Sequence, residues 1–423
     1  PHAQTHPMAD PRQISMNETP SASRTAWLVV ILLIPVALLN YLDRQMLATM
    51  KSSMLGDLPD IQTKAQWALV LGSFKWVYAI FSPIGGYLAD RVSRRHVICF
   101  SLFAWSAVTW ATGQVNNYDQ LLWTRAIMGV SEAFYIPAAL ALIADYHLGP
   151  TRSRAIGLHQ MGIYVGVIIG GFAGYAADEP TIGWRGAFAW CGLLGIAYSV
   201  PLFLFLRNRP ATNETVARTD AGSTVRSLLG NPSFLLLVVY FTLPAMAAWV
   251  VRDWMPDILR ERFNLGQGKA GISAVLYWQL AAIVGAVLGG WLADRWMRTN
   301  IRGRIFVSAI GTFLLLPALF GVGNAPTLLV AVLFLIVFGL GWGFFDCNSM
   351  PILCQLVGPQ HRATGYGLMN LVSISCGGFA DWIFGALRDR QMPLNAIFGV
   401  FAGIALLSIF VALCIRPRES TSS

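Results

Sequence analysis

The sequence predicts an all-α membrane protein with twelve transmembrane helices in two pseudo-symmetric six-helix bundles. Of its 423 residues, 55% are hydrophobic and only 12% are charged, about half the charged share of a soluble domain. Twelve apolar runs are long enough to cross a bilayer, which takes about 20 residues. In addition, a motif from the first half of the chain recurs in the second half. These three observations carry the prediction.

Short polar turns separate the apolar runs, and one long polar connector at 207–226 divides them into two sets of six. We expect a disordered cytoplasmic N-terminus at 1–24, an N-terminal bundle at 25–206, a linker at 207–229, a C-terminal bundle at 230–416 and a tail at 417–423. The predicted helices are 25–50, 66–90, 95–114, 118–146, 153–177, 184–206, 231–257, 269–295, 304–323, 326–355, 363–386 and 393–415.

The repeated motif is a basic turn between two apolar runs. The run from Gly85 to Arg91 has a near copy from Gly289 to Arg295, offset by 204 residues. Small residues allow helices to approach closely, and the arginines favour the cytoplasmic side. We interpret the two turns and the charges near them as a cytoplasmic gate that stabilises the outward-facing conformation. Its predicted members are Gly86, Asp90, Arg91, Arg94, Arg95, Asp145, Arg154, Asp294 and Arg295.

The distribution of basic residues predicts the orientation of the chain. With both termini inside, the cytoplasmic segments hold eighteen of the 30 lysine and arginine residues, and the outer loops hold fewer. The positive-inside rule therefore predicts cytoplasmic termini. The same clustering between apolar runs argues that the net charge of +9 reflects membrane topology and not nucleic-acid binding.

Ionisable residues inside predicted helices are costly in lipid and indicate function. The first helix contains Asp43 and Arg44, the second contains Lys75, and the fourth contains Arg125 and Glu132. The seven-residue spacing of the last two places them on one helix face. We expect these five charges to meet in the outer-to-middle part of the first bundle, where their net charge of +1 would attract an anion.

Two interpretations of these charges stay open. They form an internal salt-bridge network that holds the first, second and fourth helices together, or an anion site whose carboxylates carry protons. For Glu132, which has no basic residue one turn away, we favour proton coupling. Protons are the coupling ion in this hypothesis, and we predict no cofactor.

Further polar residues lie inside other predicted helices. In the tenth helix, Asp346 and Asn348 are equally compatible with substrate contact and with helix–helix hydrogen bonding. In the fifth, Gln160 and Tyr164 share a face, which favours a position lining the cavity. At the outer end of the seventh helix, Arg252 is compatible with a surface position or a gating role.

Other functional classes lack a motif. The six cysteines lie in apolar stretches without metal-ligand spacing, which argues against a disulfide framework or a metal site. There is no nucleophile–base pair, phosphate loop or soluble domain. We therefore expect a protein that is not an enzyme.

From about residue 26 to 417 the chain resembles the major facilitator superfamily, whose signature is the repeated Gly-x-Leu-Ala-Asp-Arg turn. The segments 40–44 and 125–133 are similar to the anion:cation symporter branch, which includes bacterial sugar-acid transporters, sialin and vesicular glutamate transporters. This resemblance implies proton coupling at Asp43 and Glu132. It also implies substrate binding at Arg44 and Arg125, with Tyr41, Tyr78 and Gln160 as polar groups of the cavity. Lys75 departs from that pattern and is predicted to add a second anion contact.

The alternative is a Spinster-like protein, which the chain resembles at 40–45 and 132–135. That resemblance implies transport of lysolipids or sphingolipids, usually outward. Our prediction from sequence is a proton-coupled symporter of a small organic anion, acting as a monomer in a bacterial inner membrane. Residues 25–206 would rock against 230–416 around a central cavity.

Overall fold

We describe the fold from a computed structural model of the chain. The structure describes residues 20–147, 151–208, 221–358 and 361–417, and within them it leaves out the side chains of 20–23, 89, 90, 153, 221 and 363. All regular secondary structure in these ranges is helical, as predicted. Residues 1–19 of the predicted N-terminus, part of the predicted linker, and the predicted tail except for Pro417 lie outside the described residues. Residues 20–24, which were predicted as disordered, belong to the first helix.

Fifteen helices are present in the described ranges. The twelve predicted helices agree with the structure within a few residues at most of their ends. The structure differs in having two additional short helices, one predicted helix that is broken in two, and three helices that extend beyond their predicted ends. The helices are α1 (Pro20–Thr49), α2 (Lys51–Asp57), α3 (Lys64–Arg91), α4 (Arg94–Thr112), α5 (Tyr118–Ala133), α6 (Tyr135–Tyr146), α7 (Arg152–Asp178), α8 (Gly183–Phe205), α9 (Ala221–Leu229), α10 (Pro232–Phe263), α11 (Gln267–Met297), α12 (Gly303–Asn324), α13 (Leu328–Leu356), α14 (Arg362–Asp389) and α15 (Leu394–Cys414).

Eleven helices of the described chain are long and apolar enough to cross a membrane, with α5 and α6 counted as one. The predicted third helix, α4, is not among them. It has 19 residues, which corresponds to about 28 Å at the standard rise per residue and is close to the bilayer core thickness. It packs against α5 and α8 inside the first bundle.

The predicted fourth helix is broken at Phe134. Pro137 follows closely, and its missing N–H cannot bond to the carbonyl of Ala133 four residues earlier. The helix α3 passes close to this point. A Cβ atom at Gly85 would lie 2.8 Å from the Ala133 carbonyl oxygen and 2.9 Å from the Phe134 Cα atom. The glycine in the repeated motif therefore allows α3 to contact the break.

The helices form two bundles. The first contains α1 and α3 to α8, and the second contains α10 to α15, with α9 between them in the chain. Two long contacts join the bundles: α3 packs along α14, and α7 packs along α11. We call the side that holds the C-terminal ends of α3 and α15 the terminal face. We call the other side of the molecule the opposite face.

The two bundles are joined at the opposite face. Lys64 Nζ donates to Glu261 at 2.8 Å, and the Asp389 carboxylate accepts the backbone N–H groups of Lys64 and Ala65, each at 2.8 Å. The side chain of Gln267 bonds to Asp178 at 2.9 Å. At the terminal face, no hydrogen bond or salt bridge between two described side chains joins the bundles. The hydrogen bonds and salt bridges between described side chains therefore join the bundles at the opposite face.

Candidate substrate and proton site

The buried charges of the first bundle form two ion pairs in the C-terminal quarter of α1. Arg44 Nε donates to Glu132 Oε2 at 2.7 Å, and Arg125 Nη1 lies 3.7 Å from Asp43 Oδ1. Thr109 donates its hydroxyl hydrogen to the other oxygen of Asp43. The structure thus brings together four of the five predicted charges and supplies Glu132 with a cation from α1, which its own helix does not provide.

Each ion pair leaves buried atoms without a partner. Glu132 is completely buried, and its Oε1 atom accepts no hydrogen bond from any described residue. Arg44 Nη2 and Arg125 Nε likewise find no acceptor among the described residues. A buried polar group without a partner is costly. This site therefore has unused capacity to bind a proton or an anion.

Aromatic rings surround the Arg44 guanidinium. Its Cζ atom lies 4.8 Å from the ring centroid of Tyr41, 4.7 Å from that of Phe74 and 4.8 Å from that of Tyr78. Cation–π contacts hold an arginine in place without neutralising it. Tyr41 and Tyr78, predicted as polar groups of the cavity, therefore contact the guanidinium that the anion hypothesis needs.

A second guanidinium comes from the other bundle. Arg252 in α10 lies 5.2 Å from the ring of the same Tyr41 and 5.3 Å from the ring of Trp249. Its side chain makes no salt bridge within 4.0 Å to any described carboxylate. The sequence left its position undecided. In the structure Arg44 and Arg252 approach one tyrosine ring from two bundles.

The remaining cavity residues lie closer to the terminal face. Asp346 in α13 is exposed although it lies in a membrane-length helix, and it is within electrostatic reach of Tyr164 in α7 and Tyr366 in α14. Gln160 lies near Tyr164 on the same helix. These groups of both bundles therefore face a shared opening, and Tyr366 is a polar cavity group that the sequence reasoning missed.

Asn348 does not line this opening. It is buried, and its amide donates to the backbone carbonyl of Phe344 in its own helix at 2.9 Å. The amide was predicted as either a substrate contact or a helix–helix hydrogen bond. The structure shows neither arrangement, since the donor is used inside α13.

Lys75 lies outside the cluster in which we placed it. Its ammonium bonds to Asp253 Oδ2 in α10 at 2.5 Å and also to Asp381 in α14, and it lies 4.4 Å from the ring of Trp249. The expectation of a second anion contact is corrected accordingly, because both carboxylates already occupy this cation. We call Lys75, Asp253 and Asp381 the seal triad.

A second buried pair closes the opposite face. Lys51 Nζ bonds to Asp257 Oδ2 at 2.5 Å and lies 4.5 Å from the ring of Trp254. Burial lowers the pKa of Lys51, and the Asp257 carboxylate opposes this shift. The predicted seventh helix ends at residue 257. In the structure Asp257 is buried within α10, which extends six residues beyond that predicted end.

The predicted gate residues lie at the terminal face. Arg94 pairs with Asp145, and Arg304 Nη2 lies 3.6 Å from Asp294. Arg95 donates to the carbonyl of Phe203. Each of these contacts stays within one bundle, and the side chain of Asp90 lies outside the described residues. Their role in an outward-facing state stays a prediction.

Two bundles of membrane-length helices that are joined at one face and hold buried charges between them are the arrangement expected of a membrane transporter. The described residues contain no group of three or more histidine, cysteine, aspartate or glutamate side chains suited to a metal. The profile of the Major Facilitator Superfamily matches residues 33–381. The chain belongs to this superfamily of transporters, and the predicted fold is confirmed.

Curated relatives include members of both branches that we considered. Protein spinster homolog 1 of Xenopus laevis is 28% identical over 397 residues, covering 86% of this chain and 73% of the relative. The probable L-galactonate transporter of Escherichia coli (strain K12) is 26% identical over 404 residues, covering 90% and 88%. Among solved structures, an inward-facing bacterial homologue of the human lysosomal transporter Spinster has a TM-score of 0.76 at 20% identity, covering 94% of this chain and 95% of the other. A D-xylose-proton symporter has a TM-score of 0.72 at 15% identity, covering 94% and 98%.

Proposed function

We propose that this transporter moves an organic anion together with protons, and that Arg44 and Arg252 bind the anion. The observation that carries the proposal is the position of these two guanidinium groups on one tyrosine, one from each bundle. Arginine offers several donors in a plane that matches a carboxylate or a phosphate. An anion bound there would link the bundles at the closed end of the opening.

The charges of the site support coupling to a proton. Asp43, Glu132, Arg44, Arg125 and Arg252 together carry a formal charge of +1 when all are ionised, which one monoanion would neutralise. An anion that takes the place of Glu132 on Arg44 leaves that glutamate buried without a cation. A buried carboxyl group in that position favours its neutral, protonated form. Anion and proton would therefore load together.

We also propose that the terminal face is cytoplasmic. The basic residues at the ends of α3, α7 and α11 support this orientation by the positive-inside rule. In that orientation the structure is inward-facing, and the opposite face, with its buried pairs, is closed toward the outside. A bacterial inner membrane and a functional monomer remain part of this proposal.

A Spinster-like amphiphile transporter is the second candidate. It is supported by the spinster relatives, which match this chain at 28% identity over most of its length. The anion site suits both candidates, since a lysolipid phosphate and a sugar-acid carboxylate both bind arginine. The candidates differ in whether the substrate carries a long apolar chain.

Uptake by purified protein in proteoliposomes tests the proposal. A panel of sugar acids, short monocarboxylates and lysolipids is offered with and without an imposed pH gradient. We expect the gradient to accelerate uptake of at least one anion. In Glu132→Gln we expect gradient-driven uptake to fall to the level of empty liposomes while exchange of the same anion across the membrane continues. Uptake that ignores the gradient, or driven uptake that survives Glu132→Gln, contradicts proton coupling.

Matched variants separate the two roles. Glu261→Gln removes a carboxylate of α10 that is 43% exposed and pairs with Lys64, so driven uptake should persist. Arg252→Gln should raise the half-saturating anion concentration at least tenfold. Arg262→Gln in the same helix should not change it, because Arg262 Nη1 donates to the carbonyl of Gly323 at 2.8 Å. An Arg252→Gln transporter with unchanged half-saturation would remove this arginine from the anion site.

A further inference from the structure

The seal triad differs from the other ion pairs that join or surround the bundles. It contains two carboxylates and one ammonium, so its formal charge is −1 when all three groups are ionised. All three are buried, with side-chain exposures of 4% for Lys75, 10% for Asp253 and 0% for Asp381. Asp381 Oδ1 accepts no hydrogen bond from a described residue. A buried excess charge without a hydrogen-bond partner is costly.

The neighbouring charges do not supply the missing cation. Most of these charged side chains already form a one-to-one ion pair or accept hydrogen bonds from backbone N–H groups. Arg252 is within electrostatic reach of Asp253, but its guanidinium lies against the rings of Tyr41 and Trp249. The matched groups on the packed helices are Asp43 with Arg125, Arg44 with Glu132, Lys51 with Asp257, Lys64 with Glu261, and Asp389 with the backbone at Lys64 and Ala65.

The two bundles contribute unequally to the triad. Lys75 belongs to α3 of the first bundle, while Asp253 and Asp381 belong to α10 and α14 of the second. Opening of the opposite face would therefore withdraw the lysine from both carboxylates and admit water to them. Two hydrated carboxylates ionise independently near neutral pH, whereas two carboxylates that share one buried ammonium do not both ionise readily.

We propose that the seal triad is a second proton-binding site, and that closing the opposite face takes up one proton there. The proton resides on the Asp253–Asp381 pair and makes the closed triad neutral. It enters from the water of the opposite face as the bundles close and leaves to the same side when they reopen. This site is distinct from Glu132, and the inference does not require that the substrate be an organic anion.

The sign of the pH effect follows from proton counting. The closed form binds one more proton than the open form, so a lower pH favours the closed form. The ratio of closed to open protein should rise by up to about tenfold for each pH unit of decrease, over the range in which the hydrated carboxylates are ionised. Any contribution from Glu132 is common to the variants compared below.

Distance measurements between the bundles test the proposal without substrate or a pH gradient. Spin labels at positions 62 and 326, at the opposite face, report the closed fraction from about pH 5 to pH 8 in a background without the six native cysteines. Asp381→Asn and Asp253→Asn each leave one carboxylate paired with Lys75. Such a pair is neutral without an added proton. We expect the pH dependence of the closed-to-open ratio in both variants to correspond to about one bound proton fewer than in the wild type.

Lys51→Met/Asp257→Leu is the matched control, because it removes both members of a neutral pair in the same seal and leaves no buried lysine to titrate. It should change the closed fraction by a similar factor at every pH and keep the wild-type slope. A wild-type closed fraction that does not change with pH overturns the proposal. So does a wild-type slope retained in either Asp381→Asn or Asp253→Asn. Uptake results for Glu132→Gln have no influence on this outcome, so the two proposals fail separately.

Discussion

Replacement of Gly271 by alanine should prevent the opposite face from closing. Gly271 lies in α11, where this helix crosses α1 and α7 of the other bundle. An added Cβ atom would lie 2.3 Å from the backbone oxygen of Gly171 and 2.3 Å from Thr49 Cγ2. The Gly171 oxygen belongs to a helix backbone and cannot rotate away, so the bundles must separate to admit the methyl group.

The size of the effect follows from this distance. Ordinary Cβ contacts begin at 3.4 Å, so the closed structure is short of space by about 1.1 Å along a packed helix pair. Overpacking of this kind costs about 1–3 kcal/mol. The closed-to-open ratio should therefore fall by a factor of about 5 to 150. Alanine also favours the helix by up to about 1 kcal/mol relative to glycine, but this gain applies to both conformations.

Gly403→Ala is the matched control, because no atom lies within 4 Å of a Cβ atom built at that position in α15. The labels at positions 62 and 326 give the closed fraction of each variant, and the uptake assay gives its transport rate. Gly271→Ala should shift the distance distribution toward the open form and slow transport, whereas Gly403→Ala should match the wild type. Equal closed fractions in the two variants would refute the close-packing argument.

Two further predictions concern the buried pairs. Arg44→Gln leaves Glu132 buried without a cation, which should cost about 3–5 kcal/mol. The double variant Arg44→Gln/Glu132→Gln should recover most of the melting temperature in detergent, and equal melting of the two contradicts the pair. Because burial lowers the pKa of Lys51, the folded state binds fewer protons than the unfolded state between that pKa and about 10.5. Folding stability should therefore rise with pH in this window, by up to about 1.4 kcal/mol per unit. The reference is the double variant Lys51→Met/Asp257→Leu, which lacks this titration. Melting temperatures that depend on pH in the same way in the wild type and in the double variant would count against a buried Lys51.

The sequence predicted the helices and one half of the site because both are local or carried by a motif. Apolar runs of about 20 residues are sufficient to identify membrane helices, and the helix ends agree because polar turns bound each run. Asp43, Arg44, Arg125 and Glu132 lie in two short segments of the first bundle. Their helices pack within that bundle, so their convergence requires no knowledge of how the bundles meet.

The other half depends on contacts between the bundles. Lys75 is 178 residues from Asp253 and 306 residues from Asp381 along the chain, and no local pattern gives their pairing. One signal was present nevertheless. Asp381 is an ionisable residue inside the predicted helix 363–386, so the reasoning applied to Glu132 also selects it. That Lys75 is the partner of Asp381, by contrast, depends on how α3 packs against α14.

In the proposed mechanism, the helix α10 links anion binding to closing of the opposite face. Arg252 faces Tyr41 at the opening, whereas Asp253, the next residue, faces Lys75 in the seal triad. One turn later, Asp257 holds Lys51 at the opposite face. Successive helical residues point about 100° apart, so Arg252, Asp253 and Asp257 of one helix reach the proposed anion site and both buried seals. An anion that draws Arg252 toward Arg44 therefore moves the same backbone that brings the two aspartates to their lysines.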